Sequence, residues 1–173
     1  MSVTRLVTPD DAPVLAEVLS ASRDFLAPWE PIRGDDYFTV GGQLAVIREV
    51  LGRHARGAAL PHVILDSCGS VAGRITLSGI VRGPFQSCSM GYWVSVTAAG
   101  RGLATAAVRD MVRLAFGELG LHRVQAETLL HNVRSQRVLK RNGFRRIGMA
   151  PGYLSIAGQW QDHILYQVIN DDA

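Results

Sequence analysis

The chain holds only two cysteines, Cys68 and Cys88, in 173 residues. They form no CxxC pair and no metal-ligand spacing, so a disulfide scaffold and a cysteine-based metal site are excluded. Both read as buried thiols of a reducing compartment, with a nucleophilic cysteine as the alternative. A chain of this length buries about 70% of its unfolded surface and needs no covalent staple. No apolar run approaches the roughly 18 residues of a membrane span. The opening stretch MSVTRLVTPDD carries Arg5, Asp10 and Asp11 and has no apolar segment, which argues against a secretory leader. The expectation is a cytoplasmic protein with no membrane partner. Lysine is nearly absent, Lys140 standing alone among 18 basic residues. The net charge is +3 and the pI about 9.2. No basic patch is interleaved with aromatics in the manner of a nucleic-acid module, so direct nucleic-acid binding is not expected, whereas a small anionic ligand suits the charge. Repeats and low-complexity tracts are also missing, and the length predicts a single domain over 1–173.

What is present changes period along the chain. Residues 2–8 suggest a short strand, and Pro9 and Asp10 then open a helix with Val14, Leu15, Val18 and Leu19 at helical spacing. The proline-rich run FLAPWEPIR (25–33) breaks it. A second helix is predicted from about Phe38 to Arg56, its start weakened by Gly41 and Gly42. Alternation of period two follows at 62–67, 70–80 and 87–96, with short connections that favour antiparallel pairing. Residues 101–117 are amphipathic, Leu103, Ala107, Met111 and Ala115 sharing one face. A strand at 122–130 then completes a strand–helix–strand unit, which places it parallel to 87–96. Asn132 is a good N-cap for the next helix. Gly143 stands where a left-handed residue closes it, with Phe144 free to pack on Leu139. Strands near 152–157 and 162–169 surround an Ala157-Gly158 turn.

Gly100 and Gly102 interrupt this pattern where a strand passes into a helix. The first turn of a helix carries unpaired N–H groups and partial positive charge, and a bare backbone lets a phosphate approach them. With Arg101 as a further donor, the turn suits a diphosphate; a plain strand-to-helix connection is the bland alternative. GxxxxGK[ST] is absent, which excludes a Walker loop. A dinucleotide loop would need a third glycine where Thr105 stands, although Glu127 lies where a ribose-binding acid belongs.

The turn Ala99-Gly100-Arg101-Gly102-Leu103-Ala104, with its flanking strand and helix, resembles the acetyl-CoA loop of the Gcn5-related N-acetyltransferases (GNAT). The helix from Asn132-Val133-Arg134-Ser135 to Asn142-Gly143-Phe144 resembles that family's second block, at matching spacing. FLAPWEPIR, VRGPFQSCSMGYWV and YLSIAGQWQDHILY are similar to stretches of its ribosomal-protein-alanine N-acetyltransferase group. The resemblance implies an α/β fold with a mixed, mostly antiparallel twisted sheet, one parallel splayed strand pair and about four helices. It implies acetyl transfer from acetyl-CoA to a primary amine by direct attack with both substrates bound. The acceptor would be the N-terminal α-amine of a protein such as a ribosomal protein, in a monomer or homodimer. An acetyltransferase of a small amine and a non-catalytic acyl-CoA-binding protein are the alternatives.

Carried onto this chain, the resemblance implies that Val94, Ser95, Val96, Gly100, Arg101, Gly102, Leu103, Ala104, Thr105 and Asn132 bind the cofactor. Trp29, Glu30, Tyr92 and Trp160 would bind the acceptor. Ser135, Glu127 and Asp162 would be catalytic, Ser135 as acid and either carboxylate as base, with no metal. Glu127 could instead be paired with an arginine, and Asp162 could be structural. Ala99 departs from the Gln or Arg preferred at its position. Leu139 stands where many relatives carry a tyrosine that protonates the departing thiolate. Arg134, Arg137, Lys140, Arg141, Arg145 and Arg146 form a basic cluster, either a phosphate attractor or a solvated face.

Overall fold

The computed structural model describes residues 2–171. Seven strands form one sheet: β1 (Thr4–Leu6), β2 (Ala59–Leu65), β3 (Val71–Val81), β4 (Ser87–Val94), β5 (Arg123–Leu129), β6 (Arg145–Ile156) and β7 (Gln159–Ile169), in the order β1-β2-β3-β4-β5-β7-β6. All neighbours are antiparallel except β4 and β5. Among the described residues the α-helices are α1 (Ala12–Ala21), the single turn α2 (Arg23–Leu26), α3 (Val40–Ala55), α4 (Leu103–Gly117) and α5 (Val133–Arg141).

Both faces of the sheet are covered, so successive residues of a strand enter different cores. Val63 of β2 joins Val7, Leu15 and Ile47 under α1 and α3, whereas its neighbour Ile64 joins Ile75, Leu77, Met90, Val108 and Met111 under α4. The apolar face of α4 read from its spacing is the buried one: Ala107, Val108, Met111 and Ala115 are inaccessible to solvent. The crossover through α4 carries the chain from β4 to β5 and makes that pair parallel. Their pairing is short, covering Ser87 with Arg123, Cys88 with Val124 and Ser89 with Gln125. Both strands continue, β4 to Val94 and β5 to Leu129, without pairing further, and the sheet opens between them.

Helix α5 is closed at both ends as its sequence predicts. The Asn132 Oδ1 accepts from Ser135 N at 3.1 Å. At the other end Gly143 N donates to Lys140 O and Phe144 N to Leu139 O, both at 3.1 Å, the paired bonds of a Schellman motif. Leu139 and Phe144 lie in the same core.

Two expectations are corrected. Cys68 is exposed, at the tip of the β2–β3 connection, where its N–H donates to Asp66 Oδ1; only Cys88 is buried. Burial pushes the Cys88 thiol up to about 12, which removes it as a nucleophile. Strand β6 begins at Arg145, seven residues before the strand expected at 152. Its pairing with β7 shifts register after Arg146 and again after Ala150, around Gly148, Pro151 and Gly152. These interruptions hide the alternation, and they are tolerated because β6 is the sheet's edge.

Gly143 holds φ +79°. Gly143→Ala is expected to lower stability by about 1–2 kcal/mol through the left-handed penalty on a Cβ. Urea unfolding checks this: the midpoint falls and the slope stays constant.

Candidate active site

The site grows from the opening between β4 and β5. In the β3–β4 ladder Ser95 N donates to Ala72 O at 2.7 Å. Alternation along the strand therefore turns the N–H groups of Trp93 and Ser95 toward β3, and those of Tyr92 and Val94 toward the gap that β5 has left. Val96 N donates to the Ser22 hydroxyl at 3.2 Å. Of the three strand-end amides expected to act, Ser95 and Val96 are engaged inside the protein, and Val94 faces the opening.

A groove of about 960 Å³ runs from this gap past the start of α4. Val94, Gly100, Gly102, Leu103, Ala104, Thr105 and Asn132 line it. Gly100 and Gly102 both hold φ +79°, and a Cβ at either would meet no protein atom within 4 Å. The backbone conformation demands glycine here, and the space in front of it is open. No side chain caps the start of α4, and the amides from Gly100 to Thr105 have no acceptor among the described residues. Such a row of unpaired donors at a helix N-terminus is an anion site. Arg101 is exposed and outside the groove. On the facing wall, α5 presents Arg134, Arg137 and Arg141; Lys140, Arg145 and Arg146 are not part of it. Asn142 Nδ2 ties the two helices together, donating to Thr105 O at 3.2 Å and Val138 O at 2.9 Å.

A second cavity, about 350 Å³, lies on the other side of the opening. Its walls include Glu30, Arg74, Trp93, Glu127, Thr128 and His163. The two spaces share Leu26, Trp29, Tyr92, Trp93, Asn132 and Ser135. At their junction the Tyr92 Oη and Ser135 Oγ are 2.7 Å apart. Burial pushes the Tyr92 phenol up to about 12, with the Ser135 hydrogen bond opposing it, so the phenol stays protonated at neutral pH.

Two carboxyls face the small cavity. Burial raises Glu127 above its ordinary value, and among the described residues no hydrogen bond or ion pair compensates it. No arginine pairs with Glu127 among the described residues. Burial also raises Glu30, opposed by the charges of Arg33 and Arg74. The main chain of Glu30 is anchored by the β6–β7 turn, whose Ala157 N donates to Glu30 O at 2.9 Å. Trp29 stacks obliquely on His131, ring centres 5.4 Å apart.

Trp160 and Asp162 line neither space. Trp160 is 73% exposed near the hairpin tip. Asp162 Oδ1 accepts from Gly152 N at 2.8 Å and holds the irregular part of β6. Leu139 is fully buried and lines neither space. Sequence reading missed Arg74, Trp93 and Thr128. One signal was available: an arginine at the centre of the apolar strand VAGRITL, on the same face as Thr76.

Because the folded Glu127 pKa lies above the ordinary value of 4.5, its ionised form opposes folding. The penalty is absent below that value and complete once pH exceeds the raised one. Glu127→Gln is expected to match the wild-type urea midpoint in acid and to exceed it at neutral pH, a divergence read from unfolding curves across the two conditions.

A family model described as an acetyltransferase (GNAT) domain matches residues 3–145. The ribosomal protein uS5-alanine N-acetyltransferase of Escherichia coli (strain K12) is 34% identical over 171 residues, spanning 98% of this chain and 88% of that protein. The crystal structure of the ribosomal-protein-S5-alanine acetyltransferase from Vibrio fischeri superposes with a TM-score of 0.92 at 34% identity, over 98% of this chain and 93% of the other. Mycobacterium smegmatis RimJ, in complex with CoA-disulfide, gives 0.93 at 31% identity, over 98% and 82%. With its splayed parallel pair, its unpaired amide turn and this likeness along nearly the whole length, the chain belongs to the GNAT family of acetyltransferases.

Proposed function

We propose that the protein acetylates the N-terminal α-amine of a protein in the cytoplasm, with acetyl-CoA as donor and a ribosomal protein of Ala or Ser start as acceptor. The observation that carries this reading is the meeting of two differently charged spaces at one polar pair, Tyr92–Ser135. The long groove, with its free amides and three arginines, suits a polyphosphate. The small cavity, with its two carboxyls, suits an amine. Relatives that act on ribosomal protein alanine support the choice of acceptor.

Coenzyme A suits the donors that line the groove: the amides of Gly100 to Thr105 for its diphosphate, Arg134, Arg137 and Arg141 for its remaining phosphate, and the open edge of β4 for its amide-bearing arm. Acetyl-CoA supplies an acetyl group activated as a thioester. The Val94 N–H, fixed by the strand, polarises the carbonyl that is attacked; preorganised donors of this sort contribute strongly to acyl transfer. Glu127 receives the proton that the amine loses, directly or through water. An α-amine has a pKa near 7.7–8.0, so a carboxylate of raised basicity is adequate. Ser135 Oγ delivers a proton to the departing sulfur as it takes one from Tyr92 Oη, and solvent water carries the proton held by Glu127 back to Tyr92.

Incubation with acetyl-CoA and short Ala- or Ser-starting peptides, followed by mass spectrometry, is expected to show one acetyl group on the α-amine. Ser135→Ala should lower kcat about 100-fold, the lower range for a positioned acid. Absence of any acetylated α-amine would overturn the assignment. Gly102→Val, which forces a β-branched residue to positive φ in the open turn, is expected to weaken coenzyme A binding at least ~10-fold in calorimetry, about the worth of favourable helix-terminus contacts.

A further inference from the structure

Buried polar atoms almost always find a partner. Among the described residues, six side-chain atoms do not: Gln43 Oε1, Arg74 Nη1, Ser87 Oγ, Trp93 Nε1, Arg123 Nε and Thr128 Oγ1. Three of these six residues, Arg74, Trp93 and Thr128, line the small cavity. Arg74 and Trp93 sit directly opposite each other on β3 and β4, so their side chains rise side by side from one face. The indole N–H can only donate, and so can the guanidinium. Arg74 is in no ion pair: the pairs among the described residues are Arg5–Asp11, Arg23–Asp35 and Arg53–Glu49. Its charge is felt by Glu30, yet its fork is left free.

The cavity therefore has two chemical requirements. Glu30 and Glu127 call for a cationic or hydrogen-bearing nitrogen. Arg74 Nη1 and Trp93 Nε1 have no acceptor in the protein, and both residues line the same 350 Å³, so an oxygen acceptor bound there is the partner they lack. That space corresponds to about a dozen water molecules, at ~30 Å³ each, room for one small residue and the start of the next. A plain alkylamine meets the first requirement and leaves the donors orphaned. A primary amine with a carbonyl on the adjacent carbon meets both. A site built to hydrogen-bond a group discriminates strongly against analogues that lack it.

We propose that Arg74, with Trp93 beside it, is a specificity-determining residue that reads the carbonyl oxygen next to the acceptor amine, so that the cavity selects α-aminoacyl ends over alkylamines. This deepens the acetyltransferase reading above and rests on it. The same chemistry occurs at a peptide N-terminus, where the oxygen is a neutral carbonyl, and in a free amino acid, where it is a carboxylate.

The experiment compares wild type, Arg74→Met, Arg74→Lys and Trp93→Phe on three acceptors: an Ala-starting peptide amide, free alanine and isopropylamine. It reads kcat and KM for each, with calorimetric binding of the peptide amide in the presence of CoA, and CoA binding as a check that each variant is folded. Arg74→Met is expected to cut the kcat/KM preference for peptide over isopropylamine about 10- to 100-fold, the worth of a charged hydrogen bond. The change should fall mainly on the peptide KM. Arg74→Lys should recover part of it, and Trp93→Phe should lose about 3- to 10-fold. An unchanged preference in Arg74→Met, or an equal loss on peptide and isopropylamine, overturns the role of Arg74 and leaves the transferase reading intact. Alanine preferred over the peptide amide, with Arg74→Met abolishing that preference, supports Arg74 and overturns the protein acceptor. Peptide binding weakened by Arg74→Met in an enzyme that acetylates none of the three supports Arg74 and overturns the transferase reading. No turnover and no difference in binding overturns both.

Discussion

The divergence of β4 from β5 after three paired residues is the constraint on which the rest of the site depends. Main-chain N–H and C=O groups must be paired or solvated, and a strand that leaves its partner in the middle of a sheet creates a row with no partner in the protein, open to the groove. The N–H groups of Tyr92 and Val94 belong to that row. The crossover helix α4 starts just beyond β4 and adds its own unpaired amides from Gly100 to Thr105. An extended ligand with acceptors along its length and an anionic middle satisfies both sets. The opening, the glycine turn and the helix N-terminus thus form one continuous surface of main-chain donors. The side chains contribute to its far wall through Arg134, Arg137 and Arg141.

Charge is divided across the opening. The groove side is cationic, from helix-terminus partial charges and arginines. The small cavity holds Glu30 and Glu127, both shifted upward by burial, with Arg74 on the same wall. Burying an uncompensated carboxyl destabilises the fold, and Glu127 has nothing to compensate it. Retaining such a group in a cavity is characteristic of sites whose chemistry needs a shifted base. The net charge of +3 conceals this division, because it sums a cationic groove, an anionic pocket and a scattered surface.

The supports of the site come from distant parts of the chain. The Ala157 amide at the β6–β7 turn holds Glu30, Ser22 after α1 holds the Val96 amide, and Asn142 at the end of α5 holds the start of α4 through Thr105. Asp162 and Trp160 show the reverse. The resemblance drew them into the site from a similar stretch, but Asp162 serves the β6 irregularity and Trp160 faces solvent.

By itself the sequence determined the local elements whose physics is local. The apolar face of α4, both caps of α5, the glycine turn and the parallel sense of β4 and β5 all follow from periodicity, capping chemistry and connection length. The family likeness was legible for the same reason, since its two blocks are a turn and a helix start whose backbone geometry dictates residue type. The tertiary structure alone decided which amides are free, since Val94, Ser95 and Val96 look alike in one dimension and differ only in what lies beside each. It also decided that Glu127 has no partner, that Cys68 is exposed, and that Arg74 and Trp93, 19 positions apart in the chain, stand together over one cavity. Burial and pairing are properties of neighbours brought together by the sheet, and the chain order of residues does not encode them directly.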